Sequence, residues 1–346
     1  MQNDISKILD KLPFACISIA KNKKVLYFNY EAKKKFIFLK ENIKIDNIIE
    51  SEELNEKIDN SFATNKENNV NFTPLNFQDS FFDANMVFLE NDKKELTIFF
   101  TDESLKRGYE KMRTDFIANV SHELRTPLSS IIASVETIQN NANNDKTAQI
   151  KFLESMGKQA WRMSRLVEDL LTLSKIESDD KELHFESINV ADLVQGVVDN
   201  LYNKADKKNI KIRIIKNTDK LNVKADYDAM MQVFINLLDN AINYSKENSN
   251  ITINFDEETN NYKLYLKISI TDEGDGIEKK YINRITQRFY RVDKNRSRMQ
   301  GGTGLGLAIV KHIIQRHQGE LEIKSKVGIG STFSALFPSQ ENIKIL

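Results

Sequence analysis

Residues 116–131 read FIANVSHELRTPLSSI, and this stretch decides how the chain is organised. It lies within a segment, about 104–176, that is almost free of glycine and whose apolar residues recur every three or four positions, as in an amphipathic helix. The recurring residues of its first half are Met112, Phe116, Val120, Leu124, Leu128, Ile131, Val135 and Ile138. The polar stretch NNANNDK at 140–146 interrupts the pattern and predicts a turn.

A second helix with its own apolar stripe follows the predicted turn. Its apolar positions are Leu153, Met156, Ala160, Met163, Val167 and Leu170. Two helices cannot bury two such stripes by themselves, whereas a second copy of the hairpin would cover both. The pattern therefore predicts a helical hairpin that forms a four-helix bundle in a homodimer.

His122 lies in the middle of the first helix, on the face opposite the apolar stripe, so we expect its imidazole to be exposed to solvent. Thr126 is one turn further on and shares this face. Pro127 has no N–H for the carbonyl of Glu123 and costs a helix interior about 3 kcal/mol. A weakened helix beside an exposed imidazole suggests a reacting site, although a surface histidine without a role is the simpler alternative.

Composition narrows the class of protein. The chain has 346 residues with 50 Lys+Arg and 50 Asp+Glu, which predicts two or three domains and disfavours a nucleic-acid binder. The longest nearly apolar run, at 13–20, is much shorter than the roughly 20 residues of a membrane span. A single cysteine, Cys16, cannot form an internal disulfide, which fits a reducing cytosol.

The ends of the chain differ from the helical middle. Short strand patterns at 25–28 and 95–100 predict an α+β domain over residues 1–100, and the helical hairpin takes 101–180. From 181 to 346 strands and helices mix: we expect strands at 211–215 and 264–271 and helices at 191–204, 228–244 and 307–317.

The helix at 228–244 carries a stripe of amides, since Asn236, Asn240 and Asn243 fall at i, i+4 and i+7. Amide oxygens suit Mg²⁺, which keeps several waters and bridges phosphates, so this stripe could help hold a metal–triphosphate group. A solvated polar face on an asparagine-rich protein is the alternative interpretation.

Two glycine-rich stretches follow. They are DEGDG at 272–276 and GGTGLG at 301–306, the second directly before an apolar-periodic helix. Glycine lets the backbone approach a ligand closely, and a helix N-terminus offers N–H groups to an anion, but tight turns also use glycine. Neither stretch is a Walker A loop or the glycine motif of dinucleotide folds.

These motifs, taken in order, resemble those of a known family. The stretch 116–131 resembles the phosphoacceptor box of sensor histidine kinases, and NLLDNAINYS (236–245), DEGDGI (272–277), RFYRVD (288–293) and GGTGLGLAIV (301–310) resemble the four boxes of their ATP site. The resemblance extends over about 104–338 and is greatest to the phosphate-regulon sensor kinases. Residues 1–100 resemble a PAS sensory domain.

The resemblance implies a multidomain fold and a set of site residues. The fold would be a PAS-like α+β domain, a dimeric four-helix bundle, and an α/β sandwich like that of gyrase and Hsp90-type ATPases. In the bundle His122 would accept a phosphoryl group, Glu123 would act as acid/base, and Thr126 would position water for dephosphorylation of a partner.

In the sandwich, Asp272 would bind the adenine amino group, Asn240 would coordinate Mg²⁺ and Arg291 would meet the phosphates. The full set of residues that the resemblance assigns to ATP is Asn236, Asn240, Asn243, Tyr244, Asp272, Gly274, Gly276, Arg291, Gly302, Thr303, Gly304, Leu305 and Gly306. Many members carry lysine in place of Asn243, so a phosphate-side charge is missing here, and Arg296 or Arg298 could replace it.

The implied function is a kinase that uses ATP and Mg²⁺ to phosphorylate His122 and passes the phosphoryl group to an aspartate of a response regulator, with phosphatase activity toward that regulator and phosphate starvation as a candidate signal. We expect a cytoplasmic homodimer without a membrane span, alone or peripherally attached to a membrane signalling complex, that does not bind nucleic acid. Two alternatives stay open: an ATP-driven conformational ATPase without phosphohistidine, and a non-catalytic scaffold.

Overall fold

The computed structural model describes residues 7–77, 80–89, 95–141, 145–177, 183–260, 263–292 and 302–339. Contacts between Cα atoms divide the chain into two compact units, Met1–Ala118 and Asn119–Leu346. Within the described ranges, no helix is both long and apolar enough to cross a membrane.

The first unit is built on a five-stranded antiparallel sheet in the order β2-β1-β5-β4-β3. Its strands are β1 (Ala15–Ala20), β2 (Val25–Phe28), β3 (Asn68–Phe72), β4 (Phe82–Val87) and β5 (Glu95–Asp102). Helices α1 (Tyr30–Lys35) and α2 (Glu52–Thr64) and a 3-10 turn (Ile45–Asn47) lie between β2 and β3. The α+β prediction and the strands predicted at 25–28 and 95–100 are confirmed.

Phenylalanine rings fill the core of this unit. The ring of Phe36 lies 5.3 Å from that of Phe100 and 5.7 Å from that of Phe82, between centroids, in tilted or edge-on arrangements. Cys16 on β1 is fully buried, and burial raises the pKa of its thiol to about 11. At neutral pH the thiol is therefore protonated and behaves as a small apolar side chain.

The second unit contains a helical hairpin. Helix α3 (Ser104–Asn141) begins in the first unit and continues through Pro127 without a break, and α4 (Lys146–Glu177) follows. The predicted pair of helices is confirmed, and residues 142–144 of the predicted turn lie outside the described residues. Several apolar side chains of the two helices are exposed in the single chain: Leu128, Ile132, Leu153, Val167 and Leu171.

The rest of the second unit is an α/β sandwich. Its elements are β6 (Glu186–Asn189), α5 (Val190–Asp206), β7 (Lys211–Lys216), β8 (Asn222–Ala225), α6 (Tyr227–Tyr244), β9 (Asn250–Asn260), β10 (Lys263–Asp272), α7 (Lys279–Ile282), α8 (Gly306–Arg316), β11 (Glu320–Lys326) and β12 (Gly330–Pro338). One sheet has the order β11-β12-β10-β9-β7, with β7 parallel to β9 and the other pairs antiparallel, and β6 pairs with β8. The helices and strands predicted from residue 191 onward are confirmed to within two residues at each end.

A buried histidine joins the ends of two helices in the sandwich. His317, directly after α8, donates from Nδ1 to the carbonyl of Ile313 (2.8 Å), and its Nε2 accepts from the backbone N–H of Asp226 (3.1 Å). Asp226 caps the N-terminus of α6, where its side chain accepts from the N–H of Ala229. The bond that Nε2 accepts requires the neutral ring with its proton on Nδ1, and burial lowers the pKa of His317 below its ordinary value of 6.5.

Acid should therefore destabilise the sandwich through His317. Below pH 6.5 the histidine of the unfolded chain takes up a proton that the folded site resists, so the free energy of unfolding should fall as pH is lowered. We expect His317→Gln to lose about 1–3 kcal/mol at pH 8, from two buried hydrogen bonds, and to show a smaller further loss at pH 5.5 than the parent.

Thermal unfolding followed by circular dichroism at the two pH values measures both effects. The control is His184→Gln, because His184 is exposed and its substitution should leave the free energy of unfolding at pH 8 unchanged. The same pH dependence in the His317 variant and the parent would contradict the interpretation.

Candidate functional site

The imidazole of His122 is exposed on α3, as the helical pattern predicts. One turn later, the hydroxyl of Thr126 donates to the backbone carbonyl of His122 (3.2 Å). The hydroxyl hydrogen of Thr126 is therefore bonded to the helix backbone in this arrangement, and its oxygen keeps lone pairs that could accept from a water beside the ring.

The carboxylate of Glu123, next to His122, binds two arginines. Its Oε2 lies 2.9 Å from the guanidinium of Arg162 on α4 and 3.2 Å from that of Arg291, which belongs to the α/β sandwich. The side chains are 17%, 12% and 5% exposed for Glu123, Arg162 and Arg291. A residue of the sandwich thus reaches the turn of α3 that carries the exposed histidine.

The amide stripe of α6 is partly buried. Asn236 is buried, and no described residue hydrogen-bonds its Nδ2. A Cβ placed on Gly306, at the start of α8, would lie 3.1 Å from Asn236 Oδ1, so this glycine leaves room for the amide. Asn240 is half-buried and Tyr244 is exposed. The fully solvated face that was the alternative interpretation is therefore wrong for Asn236.

Asp239, between two of the predicted amides, is the centre of an ion cluster. Its carboxylate binds Arg165 of α4 (2.9 Å) and Lys204 of α5, and it also accepts from Asn243 Nδ2 (3.1 Å). Burial opposes the charged form, but the attraction of Lys204 and Arg165 outweighs it and holds the pKa of Asp239 below its ordinary value. The amide of Asn243 is thus directed toward Asp239.

Asp272 ends β10 as a buried carboxylate. Its Oδ1 accepts from the N–H groups of Gly274 (2.8 Å) and Ser331 (3.2 Å), while no described residue hydrogen-bonds Oδ2. Burial raises the pKa of Asp272 above its ordinary value. A carboxylate oxygen of a buried aspartate that has no protein donor among the described residues is suited to accept from an amino group of a ligand.

Two glycines keep the backbone close around Asp272. A Cβ on Gly274 would lie 2.6 Å from the carbonyl oxygen of Tyr244, and one on Gly276, where φ is +70°, would lie 2.2 Å from that of Lys326. The predicted close approach is therefore present, but the partner at both positions is the backbone of the protein itself. These contacts join the loop after Asp272 to the end of α6 at Gly274 and to the end of β11 at Gly276.

The second glycine-rich stretch is described from Gly302 onward. Gly304 adopts φ of +77°, and its carbonyl accepts from the N–H of Phe289 (2.8 Å). Thr303 is buried and donates from Oγ1 to Asp169 Oδ2 of α4 (2.6 Å), while Leu305 is fully buried. Gly301 and the candidate arginines at 296 and 298 lie outside the described residues.

Burial raises the pKa of Asp169, although the Thr303 hydroxyl and Arg165 favour its charged form.

The sequence analysis did not predict Arg162, Asp169 and Asp239 as site residues, because charged residues on a predicted helix are usually interpreted as a solvated face. Their burial depends on how the hairpin packs on the sandwich. Within the part of the chain that the structure describes, no group of three His, Cys, Asp or Glu side chains could hold a metal ion.

Each half of the second unit, the helical hairpin and the α/β sandwich, matches a known family of domains. Residues 112–179 match the His Kinase A (phospho-acceptor) domain, and residues 225–341 match the histidine kinase-, DNA gyrase B- and HSP90-like ATPase domain. The chain therefore belongs to the sensor histidine kinases, with the phosphoacceptor domain first and the ATPase domain after it.

Individual relatives are similar over about two thirds of the chain. The sensor histidine kinase WalK of Bacillus subtilis is 39% identical over 229 residues, which are 66% of this chain and 37% of WalK. The phosphate regulon sensor protein PhoR of Pseudomonas aeruginosa is 38% identical over 232 residues, which are 67% of this chain and 51% of PhoR. The chain thus spans about half or less of the length of these relatives, and identity does not separate the phosphate-regulon kinases from WalK.

The fold of the chain is also similar to that of a solved structure. The histidine kinase ThkA, crystallised with the response regulator protein TrrA, matches with a TM-score of 0.54 and 23% identity over 96% of this chain and 98% of that one. This likeness concerns the fold alone.

The geometry predicts opposite effects for two glycines of the sandwich. Gly276→Ala would place a Cβ within 2.2 Å of a backbone oxygen at positive φ, so we expect a loss of about 1–3 kcal/mol in the free energy of unfolding. Gly196→Ala on α5 meets nothing within 4 Å and should gain about 0.5–1 kcal/mol from helix propensity. Urea unfolding measures both, and effects of equal sign would contradict this account of Gly276.

Proposed function

We propose that the chain transfers the γ-phosphoryl group of ATP to His122 and passes it to an aspartate of a response regulator. The contact between Arg291 and Glu123 carries the proposal, because it brings a residue of the ATPase domain to the helix turn that holds the exposed histidine. An ATPase that only changes conformation has no need of this contact.

The surroundings of Asp272 suit the adenine of ATP. Oδ2 of Asp272, which no described residue hydrogen-bonds, suits the exocyclic amino group, and the N–H of Gly274 holds the other oxygen of this carboxylate. The buried amide of Asn236 and the half-buried amide of Asn240 suit the phosphate side. Bound Mg²⁺ would offset phosphate charge there, with Asn240 as its ligand and phosphate oxygens and water completing the set.

The transfer requires little covalent chemistry from the protein. A neutral imidazole is a competent nucleophile, so a ring nitrogen of His122 forms a bond to the γ-phosphorus as the bond from phosphorus to the ADP oxygen breaks. Glu123 accepts the proton that the ring gives up. Positioning and charge neutralisation supply most of the rate, which explains a pocket of amides and arginine.

For the whole protein we propose the partners and cofactors that the sequence implies: a response regulator, a second copy of the chain, ATP and Mg²⁺. ThkA, which has the same fold, was crystallised with a response regulator protein, and this supports a receiver domain as the phosphoryl acceptor. Thr126 would then position water for removal of the phosphoryl group from that regulator. The similarity to PhoR supports phosphate signalling, and the equal similarity to WalK supports other signals as well.

We further propose three domains with bounds 1–100, 101–180 and 181–346, the first a PAS-like sensory domain in a cytoplasmic protein. The antiparallel α+β fold of the first unit supports the sensory role. A homodimer is supported by the apolar side chains that the hairpin leaves exposed, such as Ile132 (49%) on α3 and Leu153 (57%) on α4. A second hairpin would bury them.

The dimer predicts a particular mass in solution. Light scattering at micromolar concentration should give twice the monomer mass of 40.0 kDa. A charge in the apolar stripe of α4 should lower the measured mass, so we expect Leu153→Glu to shift the protein toward monomer. Lys158→Glu, at an exposed position of the same helix, should leave the protein dimeric. A monomeric parent protein would contradict the four-helix bundle.

One labelling experiment tests the proposed reaction. Incubation with γ-labelled ATP and Mg²⁺ should leave acid-labile, base-stable label on the protein, His122→Gln should abolish that label, and His184→Gln should keep it. Thr126→Ala should retain the label and lose most of the phosphatase activity toward a phosphorylated receiver domain.

The alternatives give different results in the same assay. Hydrolysis of ATP without protein-bound label would support the conformational ATPase, and neither hydrolysis nor label would support the scaffold. Equal loss of both activities in Thr126→Ala would refute the role given to that residue.

A further inference from the structure

Two acidic side chains of the hairpin bind two residues of the ATPase domain that the resemblance assigns to ATP. Glu123 on α3 contacts Arg291 (3.2 Å), and Asp169 on α4 accepts from the hydroxyl of Thr303 (2.6 Å). The two carboxylates come from different helices, so the coincidence does not follow from a single local turn.

Both contacts exclude water. The side chain of Arg291 is 5% exposed, and Thr303 and Asp169 are 6% and 7% exposed as residues. Removing ionised groups from water costs free energy unless other groups of the protein bind them. The contacts are therefore part of the packed interface between the hairpin and the sandwich, unlike flexible surface ion pairs.

Carboxylate and phosphate are recognised by the same donors. A guanidinium binds either anion through its N–H groups, and a hydroxyl donates its hydrogen to either. Thr303 has a single hydroxyl hydrogen, which it gives to Asp169, while its oxygen accepts from the N–H of Leu305 (3.3 Å). It cannot donate to a phosphate at the same time.

We propose that Glu123 and Asp169 occupy the phosphate-binding groups of the nucleotide site, so that this docked arrangement and bound ATP exclude each other. The proposal rests on the proposed function and on the resemblance, which brings Arg291 to the phosphates and counts Thr303 among the residues that bind ATP; here the Thr303 hydroxyl is taken as a donor to a phosphate oxygen. ATP then has to displace two carboxylates of the hairpin, and one of them, Glu123, becomes available beside His122 only when Arg291 leaves it.

Other contacts hold the same two surfaces together without touching the proposed nucleotide site. Arg288 binds Glu177 at the end of α4, and Arg316 of α8 donates to the carbonyl of Ile176 (3.2 Å). They stabilise the docked arrangement independently of Glu123 and Asp169. By linkage, ATP weakens docking by the same factor by which docking weakens ATP binding.

The test is nucleotide binding by the full chain, with every protein carrying His122→Gln so that no phosphoryl group is transferred. Calorimetry with Mg²⁺ and ATP should give an apparent Kd about 5-fold or more lower in Asp169→Ala and in Glu123→Ala than in the parent, and lower again in the double variant, because the docked fraction no longer competes. Adenosine, which has no phosphate, should bind all of them equally.

Two matched controls remove a carboxylate elsewhere on the same helices. Glu168→Ala changes the exposed neighbour of Asp169, and Glu136→Ala changes an exposed position of α3. Both should bind ATP as the parent does. Asp169→Leu, which has a side chain of similar size and no acceptor for the Thr303 hydroxyl, replaces Asp169→Ala where circular dichroism shows that the alanine variant is unfolded.

Each other outcome has a definite meaning. Equal ATP affinity in the parent and in all variants would overturn the inference and leave the proposed function standing. Weaker binding in Asp169→Ala or Glu123→Ala would also overturn it, since the carboxylates would then position Arg291 and Thr303 for ATP. Absence of ATP binding in every protein, parent included, would refute the proposed function and the inference with it.

Discussion

One carboxylate oxygen, Oε2 of Glu123, links the two parts of the second unit. It is shared between Arg162 of the hairpin and Arg291 of the sandwich, and none of the three side chains is freely exposed. Because adjacent side chains on a helix do not face each other, an imidazole and a carboxylate at successive positions need an outside group to set their relation. Arg162 is such a group, since it fixes Glu123 from the neighbouring helix. The proposed chemistry depends on whether Glu123 is bound to both arginines or to Arg162 alone.

The ATPase half depends on a different constraint, which is the free-energy cost of burying an ionised carboxylate. Asp272 and Asp239 are equally buried, yet burial raises the pKa of the first while cations hold that of the second below its ordinary value. Asp239 is thus a structural centre that ties α5 and α6 to the hairpin. Among the described residues, the hydrogen-bond donors to Asp272 are the backbone N–H groups of Gly274 and Ser331, and an acceptor oxygen is left for a ligand. Two aspartates on neighbouring elements therefore take different roles because of their neighbours alone.

Those features of the arrangement that depend on local periodicity could be predicted from the sequence. The hairpin and helix α6 were predictable because three- and four-residue spacing marks a buried face, and β10 because its apolar residues are dense. Strand β12 was not predicted: Ser331 and Ser334 interrupt its apolar run, and only the sheet shows that Ser334 pairs with Ser269 across β10 (2.8 Å). The cations that bind Glu123 and Asp239, and the carboxylate that binds Thr303, were not predictable either, since each lies more than 30 positions away along the chain.

The buried thiol of the first unit has a practical consequence. Cys16 is the single cysteine of the sequence, and its side chain is fully enclosed in β1 with a pKa of about 11. Thiolate is the reactive form, so this residue reacts slowly with maleimides and similar reagents at neutral pH. Cysteines introduced on the helices would then take up spectroscopic probes selectively in the otherwise native chain. Movements of the hairpin relative to the sandwich are thereby open to distance measurements in solution.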